Sequence, residues 1–204
     1  MSDRKYTIAQ YQPKLDRVLR PLLDSAGFDL DFKLVEAEPA HPDFENPDIT
    51  VQFSGPDEDL LLGNKAELLL ALEHITMECL GVPNEDHSRI SFDCNDYRAL
   101  RIEELRLSAG AAAEKVKRTG SPFFFNPMNS RERRVIHLAL RGETTLRSES
   151  AGAGPHRQVV VYPAGMASVQ PPPPPPPPRR DGPGRFDRRP GGRGGDRPRG
   201  RGFR

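Results

Sequence analysis

Length, composition and charge already exclude several classes of protein. The chain has 204 residues, 35% of them hydrophobic, and its longest apolar run, Leu68–Leu72, is far shorter than the roughly 20 residues of a membrane-spanning helix. The first residues lack the apolar stretch of a secretory signal, and Cys79 and Cys94 suit neither a disulfide framework nor a CxxC zinc site. We therefore expect a cytoplasmic protein without a membrane span, a metal or another cofactor.

Charge is distributed unevenly along the chain, although the formal net charge is only +1. Residues 1–96 carry 8 Lys and Arg against 20 Asp and Glu, whereas residues 97–178 carry 12 against 6 and residues 179–204 carry 10 against 3. A basic segment attracts polyanions and an acidic one repels them. The C-terminal half is therefore the part expected to bind a nucleic acid.

The pattern of residues 10–94 predicts a first unit of mixed α+β structure. An apolar stripe from Leu15 to Leu23 has helical spacing, Gly27 ends that helix, and Pro21 is expected to kink it. Alternating apolar residues predict the strands. The predicted elements are, in order, a helix over 13–26, strands over 29–37 and 48–54, a helix over 65–80 and a strand over 89–94.

Residues 95–163 predict a second, smaller α+β unit. Asp96 is the expected N-cap of its long first helix, which Gly120 ends. The predicted elements are a helix over 96–119, a strand over 123–125, a helix over 129–141, and a closing hairpin of 146–149 and 158–162. The fold class expected for the whole is therefore α+β, in two units that follow one another along the chain.

The remaining residues predict an extended linker and a tail. Residues 164–178 are a proline-rich linker, whose eight consecutive prolines predict a polyproline II rod of roughly 25 Å. Residues 179–204 contain 10 Arg and 8 Gly and cannot bury enough apolar surface to fold. We expect a disordered arm that either binds phosphates or merely keeps the protein soluble. Its candidate contacts are Arg193, Arg197, Arg199 and Arg201.

One side of the helix predicted over 129–141 is strongly basic. With Arg133 at 0° and about 100° per residue, His137, Ser130, Arg141 and Arg134 fall at roughly 40°, 60°, 80° and 100°. The apolar residues fall on the opposite side. Arginine forks match phosphate oxygens, and serine and histidine add donors. The pattern fits contact with a nucleic-acid backbone, and it also fits an ordinary solvated face.

A resemblance favours the first of these interpretations. Arg133 and His137, in ERRVIHLALRGE, resemble the signature of the R-x3-H single-stranded nucleic-acid-binding domain. The similarity extends over 95–163, through AAEKVKRTG, Asn126-Pro127-Met128 and SESAGAGPHRQVVVYP. It implies that Arg133 and His137 are the motif pair. On grounds of charge, Arg134 and Arg157 are added as candidate contacts.

A weaker resemblance concerns the first unit. LLLGNKAELLLALEHI resembles the G-x-x-G loop and following helix of a KH domain, an α/β sandwich whose loop clamps a nucleic-acid backbone. Gly63, Asn64 and Lys65 are the candidate contacts that this implies. The second glycine is replaced by Ala66, which is expected to resist positive φ and to limit the approach of a backbone. The loop could instead form a protein–protein interface.

The succession of the two units resembles the Jag family of bacterial RNA-binding proteins, without that family's separate N-terminal domain. The resemblance implies a non-catalytic, cytoplasmic protein that binds RNA or another single strand and can pair with a small KH-only protein. The chain has no G-x-S-x-G, P-loop or HExxH pattern, so no enzyme is expected. The alternative is a scaffold that uses the acidic first unit and the polyproline rod. Oligomeric state stays open.

Overall fold

The computed structural model describes residues 4–169, which form a mixed α+β structure. This confirms the predicted fold class. The residues of the polyproline rod and of the arginine-rich tail lie outside the described part. The helices and strands are α1 (Ile8–Ala26), β1 (Asp31–Glu36), β2 (Ile49–Ser54), α2 (Glu58–Leu80), β3 (Ile90–Cys94), α3 (Tyr97–Thr119), β4 (Phe123–Phe124), α4 (Ser130–Ala139), β5 (Leu146–Ala151) and β6 (Gln158–Pro163).

The predicted order of elements is correct, and the differences concern helix ends. Helix α1 begins five residues earlier than predicted and continues through both Pro13 and Pro21. Leu15, Leu19 and Leu23 on its inner face are at most 3% exposed. Most helical stability in proteins comes from such packing, so it outweighs the hydrogen bonds that the two prolines remove.

The start of α3 also differs from the prediction. Asp96 has a left-handed backbone (φ +55°), and its side chain makes no capping hydrogen bond. Instead, Asp93 at the end of β3 accepts a hydrogen bond from the backbone N–H of Arg98 at 3.1 Å. A carboxylate from the preceding strand thus supplies the cap that was expected from Asp96.

Strands β1, β2 and β3 form the sheet of the first unit. Strand β2 lies in the centre, antiparallel to β1 and parallel to β3, and Val51 is paired with Leu34 on one side and Phe92 on the other. These side chains pack with Leu19 of α1 and Leu69 of α2 in one buried core. The two helices therefore cover one face of the sheet.

Strands β4, β6 and β5, in that order, form the antiparallel sheet of the second unit. Val159 and Val161 of the central β6 are fully buried against α3 and α4. In the edge strand β5, Ser150 pairs with Val159 and Ser148 with Val161. Directly paired residues share a face, so both serines lie on the side of the sheet that faces the helices.

The two cores touch, although they follow one another in sequence. Phe44, in the loop between β1 and β2, packs against the core of the second unit. Arg98 forms salt bridges with Glu73 of α2 and, at 3.2 Å, with Glu45. Arg131 of α4 forms a 2.7 Å salt bridge with the same Glu73. The proposed boundary between residues 94 and 95 therefore separates two cores that a buried ionic network joins.

Candidate nucleic-acid interface

Helix α4 is fixed at its start by a capping box. The side chain of Asn129 accepts a hydrogen bond from the N–H of Glu132 at 2.9 Å, and the N–H of Asn129 donates to the Glu132 carboxylate at 3.0 Å. Arg101 of α3 holds the same carboxylate at 2.6 Å. With Val135 and Ile136 buried, the rotation of the helix about its axis is set. Arg133 and His137 consequently lie towards β5, and Arg134 lies towards solvent.

Arg133 and His137 contact two serines on the edge strand. Arg133 Nη1 donates to Ser150 Oγ at 3.0 Å. His137 Nδ1 lies 2.8 Å from Ser148 Oγ, and His137 Nε2 lies 3.0 Å from Ser150 Oγ. We call these four side chains the serine–histidine network. The serines were not predicted as site residues, although their i, i+2 spacing in a predicted strand places them on one face.

The electrostatic environment keeps His137 uncharged. Burial, and secondly the positive charge of Arg133, lower the pKa of His137 below its ordinary value. A neutral imidazole has one donor and one acceptor nitrogen, and a serine hydroxyl satisfies either. Both ring nitrogens of His137 are thus directed at β5. Its geometry is that of a residue that holds Arg133 and the edge strand together.

Arg157 approaches the network from the loop between β5 and β6. Gly152 starts that loop with φ +89°, and a Cβ there would lie 2.6 Å from the carbonyl oxygen of His156. Only glycine fits this close approach. Burial, and secondly the charge of the nearby Arg157, lower the pKa of the Arg133 guanidinium. The loop therefore places a second arginine close enough to influence Arg133.

Arg133 also has an unused donor. Its Nε is buried and has no hydrogen-bond partner within residues 4–169. Buried polar atoms are almost always paired, so an orphaned N–H beside a second positive charge indicates a place for an acceptor. An anion with several oxygens, such as a phosphodiester, supplies that acceptor and relieves the repulsion between Arg133 and Arg157.

The remaining predicted residues of this helix lie in different places. Ser130 is exposed in the first turn, and Arg134 is exposed one turn further on. Arg141 lies beyond the end of α4, because the helix ends at Ala139 and not at residue 141 as predicted: the N–H of Arg141 bonds to the carbonyl of Leu138, three residues back. It lines a separate hollow with Phe44 and Leu138 and is not brought beside Arg133.

The Gly63–Ala66 turn of the first unit interrupts α2. Gly63 is extended, and Asn64, Lys65 and Ala66 follow with φ of +51°, +62° and +56°. The expectation that an alanine would resist this conformation was wrong: Ala66 adopts it and is fully buried in the core. The strain of about 1–2 kcal/mol per left-handed residue is offset by that burial.

The same turn is exposed and anchored from outside. Gly63, Asn64 and Lys65 are all exposed, while the carbonyl of Lys65 accepts a 2.9 Å hydrogen bond from the hydroxyl of Tyr97. Tyr97 is the first residue of α3, so the turn is fixed to the start of the second unit. The structure does not bring the turn into contact with the serine–histidine network.

Comparison with known proteins agrees with this geometry. The family model for the R-x3-H domain matches residues 103–163, a range that contains the whole serine–histidine network and Arg157. The chain contains an R-x3-H domain. The resemblance to the Jag family is likewise confirmed by curated relatives that carry the name RNA-binding protein KhpB.

The similarity to these relatives covers part of each chain. Over 114 residues the chain is 32% identical to the protein of Clostridium symbiosum, which is 56% of this chain and 51% of that one. Over 119 residues it is 33% identical to the protein of Lactiplantibacillus plantarum (58% and 37%), and over 125 residues 31% identical to that of Bacillus subtilis (56% and 60%). The chain thus spans about half the length of the curated relatives it matches.

Two other kinds of site are absent from the described residues. Within residues 4–169, no helix has both the length and the apolarity needed to cross a bilayer. In the same range, no group of three or more His, Cys, Asp or Glu side chains is placed to hold a metal ion.

Proposed function

We propose that this protein is a non-catalytic RNA-binding protein whose R-x3-H domain holds the sugar-phosphate backbone of a single strand. The observation that carries the proposal is the buried Arg133 Nε without an acceptor, next to a second arginine, Arg157. The match to the R-x3-H family model and the relatives named as RNA-binding proteins support it. A cytoplasmic location and a small KH-only partner belong to the same proposal.

Each residue of the interface has a distinct role. Arg133 and Arg157 bind one phosphate between them, and the exposed Arg134 binds a neighbouring phosphate. Ser148, Ser150 and His137 hold Arg133 in place. Since these contacts go to phosphates, binding is strongly dependent on salt and only modestly dependent on sequence.

Two further regions contribute to the proposed binding. In the first unit, the exposed residues Gly63, Asn64 and Lys65 form a second contact, which the start of α3 holds in place through Tyr97. The four tail arginines, Arg193, Arg197, Arg199 and Arg201, add charge from outside the described residues. The polyproline segment on which the scaffold alternative depends also lies outside them, and no observation favours that alternative.

A salt series with single-arginine variants tests the proposal. Binding of the full chain to a fluorescent single-stranded RNA of about 12 nucleotides is measured by anisotropy from about 50 to about 200 mM salt. Arg133→Ala, Arg134→Ala and Arg157→Ala should each weaken binding, and each should reduce the log–log salt slope by about 0.7.

The matched control is Arg147→Ala, because Arg147 is an exposed arginine of β5 that pairs with Glu149 at 2.5 Å on the opposite face of the sheet. It should leave the salt slope unchanged. The proposal fails if binding is independent of salt, or if Arg147→Ala and Arg133→Ala have equal effects.

A further inference from the structure

A hollow of about 460 Å³ lies between the two units. Its walls come from α2 of the first unit and from α3 and the first turns of α4 of the second. The volume is within the roughly 300–1,000 Å³ of ordinary small-ligand sites. The floor is apolar and consists of Leu69, Met77, Ile102, Leu105 and Val135.

The charged side chains of the hollow neutralise one another. Three arginines and three glutamates line it. Arg98 is paired with Glu45 and Glu73, Arg131 is paired with Glu73, and Arg101 is paired with Glu132. Neither a phosphate nor a cation therefore finds an unpaired opposite charge there. The hollow suits an uncharged group with an apolar body and polar edges.

Polar groups suited to such edges lie around the hollow. His74, Asn84, Ser88 and Ser130 line it, and their side chains make no hydrogen bond to any residue between 4 and 169. They offer amide, hydroxyl and imidazole donors and acceptors. The ring of His74 also presents an aromatic surface, with its centroid 6.4 Å from that of His87.

The hollow also lies between the two parts of the proposed RNA interface. At one end it is lined by Tyr97, whose hydroxyl holds the Gly63–Ala66 turn. At the other end it is lined by Ser130 and Arg131 of α4. With Arg133 at 0°, Arg131 falls at roughly 160° and Arg134 at roughly 100°, so Arg134 lies between Arg133 and the hollow. A strand that follows these arginines reaches the opening of the hollow.

We propose that the hollow receives one unpaired nucleobase of the bound strand, in a site distinct from the phosphate contacts. The inference rests on the proposed function. A nucleobase is an uncharged, flat group with polar edges, and proteins recognise single-stranded RNA by inserting splayed bases between side chains. The substrate class that follows is single-stranded RNA, because bases in a duplex are stacked and cannot enter.

Filling the hollow tests this proposal directly. Leu70, half-buried on α2, lines it, and Leu70→Trp places an indole inside; Ser88→Trp does so from an exposed loop at another wall. The matched control is Ile75→Trp, because Ile75 is 46% exposed on the same helix and does not line the hollow. Thermal unfolding of each variant shows that it is folded.

Two RNAs of equal length are compared with each full-length variant: a single-stranded oligonucleotide of about 12 nucleotides and the same ribose-phosphate chain with its bases removed. Loss of one stacked base corresponds to roughly tenfold in affinity, or about 1.4 kcal/mol. Leu70→Trp and Ser88→Trp should each weaken binding of the base-containing RNA about tenfold with an unchanged salt slope. They should bind the abasic chain like the native protein, as should Ile75→Trp with both RNAs.

The outcomes separate the two proposals. If the filled variants bind base-containing RNA as tightly as the native protein, or lose affinity equally for the abasic chain, the nucleobase site is refuted while the phosphate site stands. If Arg133→Ala leaves the affinity and salt slope of the abasic chain unchanged, the proposed phosphate contact itself is refuted.

Discussion

Replacing Ser150 by alanine should disconnect Arg133 from the edge strand. Ser150 Oγ accepts a 3.0 Å hydrogen bond from Arg133 Nη1 and lies 3.0 Å from His137 Nε2, whereas Ser148 Oγ contacts only His137. A hydrogen bond to a charged group contributes about 1.5–3 kcal/mol and a neutral one about 0.5–1.5 kcal/mol. Because the site is partly exposed, we expect Ser150→Ala to lower the free energy of unfolding by about 2 kcal/mol and Ser148→Ala by about 1 kcal/mol.

The same substitutions should separate more clearly in RNA binding. Arg133 already has an unpaired Nε, so losing Ser150 leaves its guanidinium without a fixed orientation. We expect Ser150→Ala to weaken binding about tenfold and Ser148→Ala less than about threefold, since only the first acts on a group that contacts phosphate. Urea unfolding gives the stabilities, and fluorescence anisotropy with single-stranded RNA gives the affinities.

Ser150→Thr is the conservative control, because threonine keeps the hydroxyl and suits a strand. It should restore most of the affinity that Ser150→Ala loses. Equal affinities of Ser148→Ala and Ser150→Ala would refute the role given to Ser150 in orienting Arg133. So would a Ser150→Ala variant that is destabilised yet binds RNA like the native protein.

Three further substitutions test the surrounding structure. Because its folded pKa is lowered, His137 contributes stability that is complete above its unfolded pKa of about 6.5 and decreases as the pH falls below that value; His137→Gln should remove this part of the pH dependence in urea titrations. Gly152→Ala should cost more than about 1 kcal/mol and displace Arg157, whereas Gly154→Ala, with open space around its Cβ, should weaken RNA binding less. Glu73→Ala should lower the free energy of unfolding by about 3 kcal/mol, because it leaves two arginine partners buried without a counter-charge; a loss below about 1 kcal/mol would contradict that reasoning.

The order of helices and strands could be predicted because it depends on local periodicity. Alternation in Ile49–Ser54 and the stripe of Leu15, Leu19 and Leu23 each specify a face that must be buried. The ends could not be predicted as well, since tertiary packing decides them. Helix α1 extends back past Pro13 because its inner face is buried, and α4 stops at Ala139 because its last turn tightens.

The candidate site shows the same division. The azimuths of Arg133 and His137 on one helix follow from about 100° per residue and agree with their common direction towards β5. Their serine partners depend on which strand lies against the helix and in which register, and spacing within α4 contains no such information. The hollow is further from sequence, because Glu73 meets Arg98 and Arg131 only when both units are folded.

This pairing also changes how the acidic first unit is understood. A count along the chain gives residues 1–96 a large excess of carboxylates, which predicts repulsion of any nearby phosphate. In the structure, Glu45 and Glu73 are neutralised by arginines of the second unit, and Asp48 and Asp86 by Arg89. Part of the acidic charge thus binds the two units to each other. The repulsion that remains at the first unit is weaker than the count implies, so a strand held by the R-x3-H domain can extend towards the Gly63–Ala66 turn.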